Sequence, residues 1–218
     1  MNIINTLKEE NRQLNLKYSL FIFIGIVLQI IGFFASEGNS ILSLISGCFG
    51  VIAVVYTSLK KLSAYIPAFI QLGTYMILSW RERFYGELGE NIFYLITMIA
   101  GVFIWIKGYD KTNNVVKSRS LKSKNILLLL FTLVGIIILW FILSKTNDSQ
   151  PLMDSITTIP AFVAQILMIL RYREQWIYWI IIDLASIVMW WKAGDFCMVA
   201  QFVFWTLNCL LGWKLWRD

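Results

Sequence analysis

The chain has 218 residues, 58% hydrophobic and only 15% charged, an apolar excess that excludes a soluble domain of this length and implies an integral membrane protein. Its net charge of +6 follows from where loop lysines and arginines fall, so no nucleic-acid partner is implied. With no histidine, and with Cys48, Cys197 and Cys209 all within or beside apolar runs, no metal-ligand spacing exists and the thiols read as small packing residues.

Met1 to Lys17 carries charges of both signs and precedes an apolar run with no small-residue cleavage site, so the first hydrophobic segment is expected to stay in the protein. Measured against the roughly 20 residues that span a bilayer, the hydrophobic runs fall at 18–35, 41–59, 64–80, 91–106, 125–144, 153–170, 175–191 and 197–214. Eight spans put both termini on one side. That side would hold Lys8, Arg12, Lys17, Lys60, Lys61, Lys107, Lys111, Lys117, Arg119, Lys122, Lys124, Arg171, Arg173, Lys214 and Arg217, against only Arg81, Arg83, Lys145 and Lys192 on the other. Basic residues concentrate in cytoplasmic segments, which predicts cytoplasmic termini. The basic loop from Lys107 to Lys124 then acts as a topology determinant.

The chain also matches itself. Residues 41–106 align on 152–217 without a gap at a constant offset of 111. Trp80 falls on Trp191, Gly101 on Gly212 and Trp105 on Trp216, and chemistry is kept where identity is not: Lys60 meets Arg171, Tyr65 meets Trp176, Glu90 meets Gln201, Tyr94 meets Trp205 and Thr97 meets Asn208. Each unit has three spans, and the extra span between them restores the same orientation, so the repeats are parallel. The predicted fold is therefore all-α integral membrane, with eight transmembrane helices: two parallel three-helix repeats joined by a linker helix, plus an extra N-terminal helix. The corresponding divisions are 1–40 (cytoplasmic segment and peripheral helix), 41–106 (first repeat), 107–151 (basic loop and linker helix) and 152–218 (second repeat).

Polar and aromatic groups at mid-membrane depth mark the candidate site. They are Gln71 and Tyr75 in the third span, Tyr94 and Thr97 in the fourth, and Gln165, Asp183, Trp205 and Asn208 in the last three, with Asn91 and Gln201 nearer an entrance. Asp183 lies midway along the tryptophan-bounded run from Gln175 to Trp191. A charge at that depth costs roughly 2.5–3.5 kcal/mol on insertion scales and marks a polar cavity, a transport path or, in the plainer reading, a protonated acid gluing helices together. Trp176, Trp179 and Asp183 share one helix face, as do Gln201, Trp205 and Asn208. Trp179 and Trp205 sit a turn or more inside the helix ends and suit a planar ligand, whereas Trp176 and Trp216 are expected in the interfacial aromatic belt. No phosphate loop, CxxC or pair of carboxylates within one predicted span is present. Neither catalysis nor a cofactor is therefore expected, and passive carriage, proton-linked carriage and a structural or regulatory role remain as readings.

The W-x-x-W-x-x-x-D pattern at Trp176, Trp179 and Asp183, the Gly212, Trp213 and Trp216 ending, and the three-plus-one-plus-three duplication resemble the PnuC-type vitamin transporters, over nearly the whole chain after residue 40. The resemblance implies an architecture similar to the SWEET sugar transporters in a bacterial inner membrane. It also implies uptake of nicotinamide riboside, a precursor of NAD, by facilitated diffusion, with a cytoplasmic kinase trapping the product. Related members carry thiamine or riboflavin, and Tyr65 stands where the family commonly has Trp, with Gln71 close to where Asn is common. Expected partners are a small-molecule substrate, the lipid bilayer and further copies of the chain as a homo-oligomer.

Overall fold

Long apolar runs can enter a bilayer only if every backbone polar group is satisfied within the segment, so they fold as helices. The computed structural model describes residues 3–12, 14–36, 40–121 and 125–217; Lys122 and Lys124 of the charge count lie outside these. In chain order the helices are α1 (Ile3–Arg12), α2 (Leu16–Ala35), α3 (Ile41–Ser58), a 3₁₀ turn (Leu62–Ala64), α4 (Tyr65–Arg81), α5 (Tyr85–Lys107), α6 (Asn125–Leu143), α7 (Pro151–Ile169), α8 (Gln175–Ala193) and α9 (Phe196–Leu215). Among the described residues, eight are long and apolar enough to cross a membrane. Between α5 and α6 a two-stranded hairpin pairs Tyr109 with Val116 and Asp110 with Val115.

Six helices close a ring in the order α3, α4, α5, α7, α8, α9 and back to α3. The offset of 111 recurs in the backbone itself. Lys60 and Arg171 both take positive φ (57° and 67°), as do Arg83 and Gly194 (60° and 77°). At the last of these α8 ends on a left-handed residue, which glycine adopts freely and Arg83 does not. Side chains repeat too. The Trp105 indole N–H donates to the Met168 carbonyl at 3.2 Å, and that of Trp216 donates to the Thr57 carbonyl at 3.3 Å, so each repeat ends by clasping the first helix of the other.

Two helices lie outside the ring. α6 packs on α7 and, more lightly, on α5, while α2 packs on α9 and α3. Under the offset these are equivalent positions, so the helix expected to be merely peripheral holds against one side of the ring the place that the linker helix holds against the other. Small residues let α2 sit close: a Cβ at Gly25 would strike Val51 and Phe204, and one at Gly32 would strike the backbone of Phe196 and Cys197. Buried Gln29 places its amide between the Cys197 carbonyl and the Gln201 N–H. The outer faces of α2 and α6 expose Phe23, Ile31, Phe34, Phe131, Ile137 and Phe141, apolar surface suited to lipid.

At the end of the bundle that bears the termini, α1 seats Leu7 against the Leu62 and Tyr65 cluster. Glu10 is fully buried, and its carboxylate accepts the Leu62 and Ser63 N–H groups at 2.9 and 2.8 Å, while the Lys61 ammonium donates to the Glu10 carbonyl. The basic loop also joins the two repeats. Val116 N–H donates to the Lys60 carbonyl and Arg119 N–H to that of Arg171 (2.9 and 2.7 Å), so one strap holds the equivalent turns of both repeats.

Candidate functional site: a cavity inside the helix ring

The ring encloses a cavity between two aromatic clusters. At the end bearing the termini, Tyr65, Trp105, Trp176 and Trp216 pack with Leu62 and Val116. At the opposite end, Tyr75, Phe84, Trp190 and Phe202 pack with Met189 and Met198. Trp176 and Trp216 are therefore not belt residues: they are 1% and 2% exposed, with rings edge-to-face at 5.7 Å. Gly212 makes room for this, since a Cβ there would fall 2.4 Å from the Trp176 ring. The same arrangement recurs at the matching positions, with Tyr65 edge-to-face on Trp105 and its hydroxyl 2.6 Å from a Cβ at Gly101.

Of the residues picked from the sequence, Gln71, Tyr75, Asn91, Tyr94, Trp179, Asp183 and Trp205 line the cavity, with Gln165 and Trp176 beside them. Helical spacing does this: Trp176, Trp179 and Asp183 on α8 fall one turn apart and face inward together. Trp179 stands edge-on to Tyr94 at 6.1 Å, and Trp205 edge-on to Phe202 at 5.2 Å. The Trp179 indole N–H donates to Gln175 Oε1 at 3.3 Å, which orients that ring.

Thr97, Gln201 and Asn208 do not line the cavity. Thr97 Oγ1 donates to the Phe93 carbonyl and accepts from Gln165 Nε2 at 3.0 Å, so it positions a lining amide. Asn208 Nδ2 donates to the Val54 carbonyl at 3.1 Å and ties α9 to α3. Gln201 lies near Gly50, where an added Cβ would be 3.2 Å from its Oε1. In each case the side chain sits between ring neighbours instead of on the inner face, a distinction of rotation about the helix axis that depth alone does not make.

Asp183 is 1% exposed. Its Oδ2 accepts the Cys209 thiol at 3.4 Å and its Oδ1 has no partner among the described residues. Cys209, expected only to fill space, is thus the donor that touches the mid-membrane acid. Unpartnered polar atoms among the described residues also include the Trp176 and Trp205 indole N–H groups, both on cavity-lining residues. Buried polar groups without partners are costly, so they mark where a polar ligand or water satisfies them.

Two lining acids were not foreseen. The fourth span, expected at 91–106, begins at Tyr85, so Glu87 and Glu90 stand inside it and face the cavity. The reason is a cap from another helix: buried Asp154 on α7 accepts the Gly86 and Glu87 N–H groups at 2.7 and 2.8 Å, satisfying orphan donors and the positive end of α5. The expectation that no span holds two carboxylates is corrected accordingly. A usable signal was present, because Glu87, Glu90, Asn91 and Tyr94 fall at helical spacing on one face.

A ring of membrane-spanning helices around a cavity with aromatic rings and unpaired polar atoms, plugged at both ends, defines the class as a multi-pass membrane transporter. Residues 40–218 match the family described as Nicotinamide mononucleotide transporter. The chain belongs to that family. It is 33% identical over 182 residues to a protein of Haemophilus influenzae named Nicotinamide riboside transporter PnuC, covering 82% of this chain and 80% of that one. A protein of Neisseria mucosa with the same name is 29% identical over 211 residues, 90% of this chain and 78% of its own. Among solved structures, that titled "Crystal structure of the Vitamin B3 transporter PnuC" superposes with a TM-score of 0.79 at 26% identity, covering 93% of this chain and 91% of the other.

Proposed function

We propose that this protein takes up nicotinamide riboside by facilitated diffusion across a bacterial cytoplasmic membrane, holding the substrate midway between its two repeats. The observation that carries this is the cavity itself. Trp179, Tyr94 and Trp205 give rings for a planar nicotinamide, while Gln71, Asn91 and Asp183 offer the hydrogen-bonding groups a ribose needs. Relatives bearing the name of that substrate align over about four-fifths of their own length. Thr97, Gln201 and Asn208 belong to the same reading as residues that set the positions of lining groups and helices.

The fifteen-to-four division of Lys and Arg supports cytoplasmic termini, which makes the end carrying the hairpin strap and α1 the inner gate. Rocking of one repeat against the other exposes the cavity to either side, and a downstream reaction that removes product is enough to drive net uptake. Lipid covers the outer faces of α2 and α6, and homo-oligomerisation would take part of that apolar surface.

Isothermal titration of the purified protein against nicotinamide riboside, thiamine, riboflavin and hexoses tests the substrate. Saturable binding of nicotinamide riboside alone is expected, weakened in Trp179→Ala and Asp183→Asn. Binding of another vitamin or sugar in its place would reassign the carrier, and no binding of any of them would leave a structural role for the buried polar groups.

A further inference from the structure

Among the described residues the cavity is lined by three carboxylates, Glu87, Glu90 and Asp183, and by no lysine or arginine. The three are not equivalent. Glu87 is held from α4, where the Tyr75 hydroxyl donates to its Oε2 at 2.5 Å and Ser79 Oγ at 3.4 Å, and Tyr75 is held in turn by the Trp190 indole N–H at 3.0 Å. Asp183 on α8 has the Cys209 thiol on Oδ2, its Oδ1 is without a partner among the described residues, and no second acid stands beside it on its own helix. Glu90, one turn further along α5, keeps an oxygen with no partner among the described residues although the residue is only 6% exposed. The groups around it are acidic or neutral: Glu87 and the Tyr94 phenol, which interacts with it as a hydrogen-bonding group, on its own helix, and Asp154 on α7. Across the pseudosymmetry its counterpart is the neutral Gln201, so this acid belongs to one wall of the cavity only.

A carboxylate in a low-dielectric cavity is costly unless a cation pairs with it, and no described residue of the cavity wall supplies one, so an entering cation is what favours its charged form. We infer that Glu90 is a specificity-determining residue that selects a substrate carrying a fixed positive charge. This rests on the function proposed above and deepens it. A nicotinamide ring joined to ribose is a permanent pyridinium cation, and it is neutral once reduced to the dihydro form. Glu90 faces that charge, Glu87 is fixed behind it by Tyr75, and the π-faces of Tyr94, Trp179 and Trp205 add to the attraction. Without Glu90, ring stacking, ribose contacts and the two other acids remain, but charge selection is weakened.

The experiment is titration calorimetry of the full-length protein with nicotinamide riboside and with its reduced, neutral form, in wild type, Glu90→Gln and Glu90→Asp. Wild type should prefer the cation by roughly tenfold or more. Glu90→Gln should cut that ratio by roughly fivefold or more by weakening the cation while leaving the neutral form within about twofold, and Glu90→Asp, which keeps the charge, should retain the preference. An unchanged ratio in Glu90→Gln, or equal loss of both forms in a protein that still melts cooperatively, overturns the assignment. A wild-type ratio near one overturns it without any variant. Wild type that binds neither form overturns the substrate and the charge assignment together, which separates that failure from the others.

Discussion

Gly212 lies under the floor of the cavity, and replacing it with alanine puts a methyl group against the ring of Trp176. The added Cβ would fall 2.4, 2.5 and 2.7 Å from three atoms of the Trp176 indole. Trp176 is 1% exposed and wedged edge-to-face on Trp216, so relief must come from moving the ring into the cavity or parting α9 from α8. Overpacking of this kind costs about 1–3 kcal/mol, which for a chain of this size is roughly 2–12 °C of melting temperature. The control is built in: at Gly73 on α4 an added Cβ meets nothing within 4 Å, so Gly73→Ala should be neutral or stabilising by up to about 1 kcal/mol through helix propensity. Melting followed by tryptophan fluorescence in detergent reads both, and titration reads the cavity, where Gly212→Ala should also weaken substrate binding. Removing the ring should remove the conflict, so Gly212→Ala combined with Trp176→Ala should cost less than the sum of the two alone. A Gly212→Ala protein that melts with wild type, or costs that simply add, would refute the packing argument.

Asp154→Ala leaves the Gly86 and Glu87 N–H groups without their cap and should cost about 1–2 kcal/mol, with hydrogen exchange rising first at the start of α5; exchange unchanged there would show that the cap does not hold the helix end. Glu10→Ala strands the Leu62 and Ser63 N–H groups at about 1–3 kcal/mol, and limited proteolysis should then cut near α1 sooner than in wild type. A cysteine placed at Asn113, in the exposed hairpin turn, should resist an impermeant thiol reagent in intact cells and react after the membrane is opened. Labelling from outside would reverse the assigned orientation.

The hydrophobic runs, the distribution of lysine and arginine and the offset of 111 determine class, span number and duplication, because transfer into lipid and the backbone's need for internal hydrogen bonds act segment by segment. Depth is legible for the same reason, and it was enough to bring out Asp183, Trp179, Tyr94, Gln71 and Trp205. Rotation about each helix axis is not a local property. It is set by which neighbours pack where, so Asn208 and Thr97 turned toward adjoining helices while Trp176 turned away from the lipid interface into the floor of the cavity. Helix ends are equally non-local when a cap comes from afar: Asp154, 67 residues beyond Glu87 in the chain, extends α5 over a polar stretch that hydropathy reads as loop. Only the closed ring could bring Glu87 and Glu90 from that extension to the cavity that also holds Asp183, because the low-dielectric interior that gives unpaired carboxylates their force exists only once all six helices have packed.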